Sequence, residues 1–178
     1  MLPDSLKNNT YYLSTPQGKK EWQSYLSKIG SFAQSLDKEF LSQICFEHFD
    51  RFNDYFPLFD FEKHKVIRII KSTKEIYENI RYDDNKELDF WYFQVDNFLK
   101  YGERKDYDVL KYAIENKSWS FAPVIIENTL ANKIGKRSFG KPLHLIEGTH
   151  RVSFIKRLYE LKLIESETKH ELLYITEE

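Results

Sequence analysis

Cysteine is almost absent from this chain of 178 residues, which contains only Cys45. A single cysteine excludes a disulfide within the chain and any metal site built from several cysteines. The sequence also lacks Gly-x-x-x-x-Gly-Lys-Ser/Thr, which forms a P-loop, and His-Glu-x-x-His, which binds zinc. A P-loop nucleotidase, a zinc protease of that type and a disulfide-rich domain are therefore excluded.

Neither a large net charge nor a long apolar run is present. The formal net charge is −1, so the chain lacks the uncompensated lysine and arginine that coat nucleic acid or anionic membranes without specificity. No stretch approaches the roughly 20 apolar residues that a membrane-spanning helix requires. Residues 1–4 show no basic segment followed by an apolar one. We therefore expect a cytoplasmic protein with no membrane partner.

Aromatic residues are plentiful, with 14 Phe and 12 Tyr. A hydrophobic core needs such residues, and disordered chains are poor in them. Between residues 21 and 81 the apolar residues recur at helical spacing and predict three amphipathic helices, the third over residues 66–80. One face of this third helix is mostly basic, and it is where a DNA or protein partner would bind. Its basic residues are Lys65, Arg68, Lys71 and Lys74.

A polar stretch rich in turn formers, residues 82–86, is the predicted junction between two regions. The first is an N-terminal helical region, residues 1–86, and the second is an α+β domain, residues 87–178. In the second region the patterns predict strands at 90–95, 122–126, 143–146 and 172–175, and helices at 107–116 and 149–163. Because the junction is short, we expect the helical region to pack on the small mixed sheet of the second domain.

The turn after the strand at 143–146 is the strongest candidate site. Gly148 can adopt a positive φ and lets another group approach the backbone, and Thr149 is a competent N-cap. A helix that begins there points unpaired N–H groups and the positive end of its dipole at the turn, which suits a phosphate. His150 and Arg151 add side-chain donors in the first helical turn.

A cation in the first turn of a helix opposes the helix dipole, at a cost on the order of a few tenths of a kcal/mol unless an anion is bound. Arg151 and His150 therefore favour an anion site, because proteins break a local rule where function requires it. The alternative is that Arg151 pairs with Glu147 or another acid and that His150 is a packed or solvated histidine. Spacing alone does not decide between them.

The order of elements resembles the ParB/sulfiredoxin superfamily over about residues 88–178. Its members carry a helix, an apolar strand opened by proline, a variable hairpin, a second strand, and a Gly-x-His-Arg turn that begins a helix. Here residues 108–116 look like the first helix and residues 122–127 like the strand with its proline. Residues 143–151 are similar to the second strand and its turn.

This resemblance implies that a nucleotide such as ATP, ADP or CTP, with or without Mg²⁺, is held with its phosphates at Gly148, Thr149, His150 and Arg151. The reaction stays open, since the superfamily includes CTP-binding partition proteins, ATP-dependent sulfinic acid reductases and a free serine kinase. Thr149 stands where the reductases place a catalytic cysteine. Sulfinic acid reduction is therefore not expected.

Hydrolysis of the nucleotide or phosphoryl transfer would require a carboxylate base near the phosphates. By position, the catalytic candidates are Glu103, Glu147 and His150, and Arg104 is a further candidate to bind phosphate. The alternative function is a non-catalytic module that responds to a nucleotide and binds DNA or a protein partner. We expect nucleotide binding from this sequence and leave turnover open.

A second basic segment, residues 132–141, is predicted to be a hairpin or loop with a glycine towards each end. It contains Lys133, Lys136, Arg137 and Lys141. Such a loop either covers a polyphosphate or is a solvated turn.

Overall fold

The structure is a computed structural model that describes residues 12–30, 36–82, 85–102, 108–136 and 138–177, with the backbone alone for 85–89. Helices and strands are mixed along the chain, which confirms the predicted α+β class. In chain order the elements are α1 (Pro16–Ile29), α2 (Lys38–Phe40), a π-helix (Leu41–Glu47), α3 (Phe49–Tyr55), β1 (His64–Ser72), α4 (Thr73–Asn79), β2 (Ile80–Arg81), α5 (Asn85–Tyr101), α6 (Asp108–Asn116), β3 (Val124–Glu127), α7 (Asn128–Ile134), β4 (Leu143–Glu147), α8 (Thr149–Glu160) and β5 (Lys169–Glu177).

The five strands form one mixed sheet in the order β1-β5-β3-β4-β2. β3 and β4 are antiparallel, with Ile125 opposite Leu145, whereas β2 runs parallel to β4, with Ile80 opposite Leu143. The first three residues of β3 are all buried, as expected for an apolar strand covered on both faces. The predicted mixed sheet is therefore confirmed.

The chain divides into two compact units. One comprises residues 1–67, 129–138 and 175–178, and the other comprises residues 68–128 and 139–174. These boundaries differ from the predicted division at residue 86, because the second unit already begins within β1 and includes α4.

Aromatic side chains hold the first unit together. Phe40, Phe52 and Phe56 are buried, and the ring centroid of Phe52 lies 6.1 Å from that of Phe40 and 5.3 Å from that of Phe56. Cys45 is buried in the π-helix, and this burial raises the pKa of its thiol. The thiol is therefore neutral and unreactive, because nucleophilic attack by cysteine requires the thiolate.

Helix α8 lies at the centre of the second unit. Val152, Ile155 and Leu158 recur at every third position, and none of them is exposed to solvent. They belong to one hydrophobic cluster with residues of the neighbouring helices, and α4, α5 and α6 all contact α8. Each such side chain contributes about 1.5–3 kcal/mol when fully buried. The buried apolar face of α8 therefore fixes the position of the helix, independently of the contacts made by its first turn.

The helix predicted over residues 66–80 is wrong, because this segment is a strand followed by a short helix. Val66, Ile67, Ile69 and Ile70 are β-branched, and such residues favour an extended backbone over a helix. Helical structure then restarts at Ser72 through a capping box. The amide of Ser72 donates to Glu75 Oε2 at 2.8 Å and the amide of Glu75 donates to Ser72 Oγ at 3.2 Å.

The basic helical face proposed for a DNA or protein partner consequently does not exist. In a strand, successive side chains point to opposite faces of the sheet, so Arg68 lies on the face opposite Lys65 and Lys71. Arg68 pairs with Glu171, and Lys71 Nζ lies 3.0 Å from Glu75 Oε1.

The strand predicted at residues 90–95 is also wrong, because these residues lie within α5. Val95 is fully buried, and Trp91 and Phe98 are partly buried against the same cluster, four and three residues away. Packing of this helical stripe on α8 outweighs the preference of the aromatic residues for strands.

In the ranges that the structure describes, no helix is both long and apolar enough to cross a membrane.

The basic segment at 132–141 is only partly a loop, since its first residues end α7. Lys133 Nζ lies 2.7 Å from Glu177 Oε1, and Lys136 Nζ lies 3.2 Å from Asp54 Oδ1. Arg137 lies outside the described residues. Two of the four basic residues are thus engaged by acids, which favours the interpretation as a solvated segment over a cover for polyphosphate.

A Schellman motif at Lys162 ends α8. The amide of Leu163 donates to the carbonyl of Leu158 at 2.8 Å, and the amide of Lys162 donates to the carbonyl of Tyr159 at 2.9 Å. Lys162 has a φ of 59°, in the left-handed region where a Cβ costs about 1–2 kcal/mol.

Replacing Lys162 with glycine should raise the free energy of unfolding by roughly 0.5–1 kcal/mol, because glycine adopts this conformation without strain. Urea denaturation measures the change. Lys162→Ala is the matched control, since it removes the same charge but keeps the Cβ, and it should give no gain. Equal stabilisation of both variants would show that the charge, and not the backbone, is responsible.

Lys156, near the middle of α8, is a buried lysine with 3% of its surface exposed. Its Nζ donates to the carbonyl of Ile80 at 2.5 Å and lies 5.9 Å from the ring centroid of Tyr77. Burial lowers the pKa of Lys156 to about 7, with Arg81 acting in the same direction and Glu160 opposing it. The folded protein therefore releases this proton far below the ordinary lysine range.

The stability of the protein should consequently rise with pH between about 7 and 10. Over this window the unfolded chain keeps the Lys156 proton that the folded chain has released, which adds up to about 1.4 kcal/mol per pH unit. Lys156→Met should raise the melting temperature at pH 7 and flatten the dependence. The exposed Lys169→Met is the control and should keep the wild-type slope. An unchanged slope in Lys156→Met would contradict the assignment.

Candidate functional site

The predicted order of strand, glycine and helix is present between β4 and α8. Gly148 has φ 102° and ψ 28° and occupies the N-cap position of α8, where a glycine has no side chain to form a capping hydrogen bond. Thr149 was expected to be the N-cap but is the first residue of the helix. The helix start is therefore supplied by glycine in the left-handed region, where other residues are strained.

Gly148 is buried, so the open approach to its backbone that the sequence predicts is not present at this residue. A Cβ placed on Gly148 would lie 2.7 Å from Pro123 Cβ, which is closer than carbon atoms can approach without displacement. Pro123 directly precedes β3, and Val124 pairs with Glu147 in the sheet. Glycine is required here by two constraints, the positive φ and the proline ring, and neither of them involves a ligand.

Arg151 is held by protein groups on two sides. Its Nη2 lies 3.4 Å from Glu147 Oε1, and its Nη1 donates to the carbonyl of Phe121 at 3.3 Å. The side chain of Arg151 is 13% exposed and that of Glu147 is 25% exposed. The pairing with Glu147 that the sequence left as an alternative is therefore present, although both contacts lie near the upper limit for a hydrogen bond.

His150 lies against the indole of Trp91, and the two ring centroids are 3.5 Å apart with the planes inclined by 44°. The pKa of His150 is lowered, chiefly because the ring is partly withdrawn from water. The Glu147 carboxylate opposes this shift and the Arg151 guanidinium adds to it. At neutral pH His150 is consequently an uncharged ring with both donor and acceptor nitrogens, and the fixed cation of the turn is Arg151.

Of the remaining predicted site residues, the structure describes only Thr149. Glu103 and Arg104 lie outside the described residues. The carbonyl of Thr149 accepts a hydrogen bond from Ser153 Oγ at 2.6 Å, which engages the first turn from within the helix. In the described ranges no group of three or more His, Cys, Asp and Glu side chains could hold a metal ion.

Two residues at the turn, Trp91 and Phe121, were not predicted from the sequence. Trp91 was assigned to a strand, although its spacing from Val95 and Phe98 is helical and could have placed it beside α8. Phe121 contributes through its backbone carbonyl, which no side-chain pattern can reveal. Together they add an aromatic face and an acceptor to the two sides of the first turn of α8.

No protein-family model, no curated protein and no solved structure matches this chain. The resemblance to the ParB/sulfiredoxin superfamily therefore stays a prediction from the order of the elements and the short turn at residues 147–151.

Gly148→Ala should lower the free energy of unfolding by about 2 kcal/mol or more, since the new Cβ adds left-handed strain to a clash with Pro123. Gly102→Ala is the matched control. Gly102 also has a positive φ, of 80°, but no atom of the described residues lies within 4 Å of the position that its Cβ would take. It should show the strain alone, and equal losses in both variants would rule out the Pro123 contact as a cause.

Proposed function

We propose that this protein binds a nucleotide through its phosphates at the start of α8, using the backbone of residues 149 and 150 and the side chains of Thr149, His150 and Arg151. One observation carries the proposal: the N-cap of α8 is a glycine, which supplies no side-chain cap, while the first turn carries an arginine. Uncapped N–H groups and a guanidinium are both donors that favour an anion. The likeness of this turn to that of the ParB/sulfiredoxin superfamily supports the same choice.

An anion could compete with the contacts that Arg151 makes with Glu147 and Phe121. At 3.4 Å and 3.3 Å, its contacts with Glu147 and Phe121 are long for charge-assisted hydrogen bonds, which are typically about 2.7–2.9 Å. A phosphate has more charge and more acceptor oxygens than one carboxylate. The positive end of the helix dipole also attracts the phosphate, whereas it repels the Arg151 cation in the apo protein.

The aromatic side of the turn suits the remainder of a nucleotide. Trp91 and His150 form a ring pair at the first turn, and Phe90 beside them is 54% exposed. Nucleobases stack on such rings with little dependence on base identity, at about 1–3 kcal/mol per base. A nucleotide that places its phosphate at Arg151 therefore has an aromatic surface within reach, and ATP, ADP and CTP remain equivalent candidates.

Turnover is not part of the proposal. Hydrolysis or phosphoryl transfer would need a carboxylate base, and Glu147 is engaged by Arg151.

The second candidate function is a nucleotide-responsive module without catalysis, which binds a protein partner. It is favoured by exposed aromatic residues on α5, where Phe93 is 61% and Tyr101 is 72% exposed. A cytoplasmic location, where nucleotides are abundant and Cys45 stays reduced, belongs to the same proposal.

A thermal-shift screen with ATP, ADP, CTP and GTP, each with and without Mg²⁺, tests the binding. A ligand at 100 times its Kd should stabilise the folded protein by about 2.7 kcal/mol. Inorganic tripolyphosphate separates a phosphate site from one that also needs the base. No shift with any of these compounds would overturn the proposal.

Two variants should change nucleotide affinity in opposite directions. Arg151→Ala removes a charge-assisted contact to phosphate and should weaken binding about tenfold to hundredfold. Glu147→Gln removes the competing carboxylate next to the phosphate and should strengthen binding about threefold to tenfold. Isothermal titration measures both.

Arg68→Ala is the matched control, because Arg68 also pairs with a glutamate but on β1, away from the turn. It should leave affinity unchanged. A destabilised Arg151→Ala protein whose ligand-induced shift is undiminished would show that the Arg151–Glu147 pair is only structural.

A further inference from the structure

A chain of hydrogen bonds passes through the buried His170 of β5 in the second unit. Its Nδ1 lies 3.2 Å from Ser118 Oγ and its Nε2 lies 2.8 Å from Thr73 Oγ1. Thr73 Oγ1 in turn lies 3.4 Å from the carbonyl of Thr168. Both ring nitrogens of His170 are therefore engaged, each by a hydroxyl group.

The carbonyl of Thr168 accepts from the amide of Thr73 at 2.9 Å and has a longer contact with the Thr73 hydroxyl, which favours one direction for the protons. If the Thr73 hydroxyl donates to the carbonyl of Thr168, its oxygen accepts from Nε2–H of His170, and Nδ1 then accepts from the hydroxyl of Ser118. All three hydrogen bonds are made in this arrangement, whereas the other tautomer leaves the carbonyl without the hydroxyl proton. In this tautomer the base lone pair of His170 is directed at Ser118.

Ser118 is more exposed than the two residues that follow it in the hydrogen-bond chain. His170 and Thr73 are 1% and 0% exposed, whereas Ser118 is only half-buried. The residue before it, Lys117, has a φ of 54°, a strained conformation for a residue with a side chain. An accessible serine beside an oriented histidine, on a strained turn, is the arrangement expected of an activated nucleophile.

The imidazole is also held in place from the side. The ring of Trp119 lies 4.9 Å from that of His170, between centroids, and its Nε1 donates to the carbonyl of Glu171 at 2.8 Å. Tight packing of this kind prevents the imidazole from rotating away from Ser118.

We propose that Ser118 is a nucleophilic serine that takes an acyl group from an activated carboxylic ester, with His170 as its general base. Ser118 Oγ attacks the ester carbonyl carbon while its proton passes to His170 Nδ1, which gives a tetrahedral oxyanion. Collapse of this intermediate breaks the bond to the leaving alkoxide, which takes the proton from Nδ1 and departs as an alcohol. The acyl group remains on Ser118.

Backbone amides next to Ser118 are available for the oxyanion. Within the part of the chain that the structure describes, no group accepts a hydrogen bond from the amides of Trp119 and Ser120. The amide that follows a nucleophilic serine is a common oxyanion donor. Thr73, and not a carboxylate, stands behind the imidazole, so the imidazolium formed during attack is less stabilised than in a Ser-His-Asp triad. We therefore expect slow acylation that accumulates as a covalent adduct.

The pH dependence of acylation distinguishes this serine from an ordinary one. Burial lowers the pKa of His170 to about 4, and the groups that face the ring are uncharged: the hydroxyls of Ser118 and Thr73 and the indole of Trp119. The charged neighbours along β5, Lys169 and Glu171, are exposed. The base is therefore unprotonated over the whole neutral range, and the rate should be flat above about pH 5.

The test treats the full-length protein with p-nitrophenyl acetate and locates the acetyl group by peptide mass spectrometry. We expect acetylation of Ser118 that is lost in Ser118→Ala. Ser120→Ala, a serine two residues away on the same loop, is the matched control and should react like the wild type. His170→Asn should slow acylation about tenfold, because a base with a lowered pKa contributes less than the about 10²–10⁴ of a general base whose pKa lies near the working pH.

Two results would overturn the proposal. One is acetylation spread over other side chains, at a total rate that Ser118→Ala does not change. The other is a rate at Ser118 that rises about tenfold per pH unit from pH 5 to pH 8, the behaviour of a serine deprotonated by hydroxide alone. The second measurement uses the wild-type protein, so it decides the question even if His170→Asn does not fold.

Discussion

The close approach of Pro123 to Gly148 is the constraint on which both candidate sites depend. The proline ring packs where a Cβ of residue 148 would be, and the proline carbonyl accepts from the amide of Leu173 at 2.9 Å. One residue thus joins the start of β3 to the start of α8 and to β5. The loop that precedes it is fixed at this end, and that loop contains both the carbonyl that binds Arg151 and the hydroxyl that binds His170.

Three basic residues in α8 or directly after it each break a local rule. Arg151 opposes the dipole in the first turn, Lys156 is buried, and Lys162 adopts a left-handed conformation after the last turn. Their combined cost is of the order of several kcal/mol, which is comparable to the net stability of about 5–15 kcal/mol of an ordinary domain. The helix persists because its apolar face is fully buried among α4, α5 and α6. A residue that breaks a local rule indicates function most clearly where packing would tolerate other residues, as it would at Arg151.

Much of the C-terminal part of the fold could be predicted from the sequence. The strands β3 and β4, the glycine turn and the start of α8 follow from local signals: apolar runs, a residue suited to positive φ, and helical spacing. The segments 66–80 and 90–95 were misassigned because their local preferences conflict. The apolar residues of segment 66–70 fit both the spacing of a helix and the composition of a β-branched strand. The aromatic residues at 90–93 favour a strand locally, and only their packing on α8 favours a helix.

The candidate sites were predictable only where they are local in sequence. The turn at 147–151 is contiguous, so its residue types could be interpreted together. The contacts of Arg151 with Phe121, of His150 with Trp91 and of Ser118 with His170 join residues 30 to 59 positions apart, and the fold alone brings them together. One of them uses a backbone carbonyl, which is the same in every residue and gives no signal in the sequence.

The distribution of indole rings gives each site its own optical probe. Of the three tryptophans, Trp91 lies beside His150 at the start of α8, Trp119 lies beside His170 near Ser118, and Trp22 packs on Tyr25 and Phe46 in the first unit. A protonated imidazole quenches the emission of an adjacent indole, whereas a neutral one does so weakly. Variants that keep one tryptophan at a time would therefore report the charge of each histidine separately through intrinsic fluorescence, without any label attached to the protein.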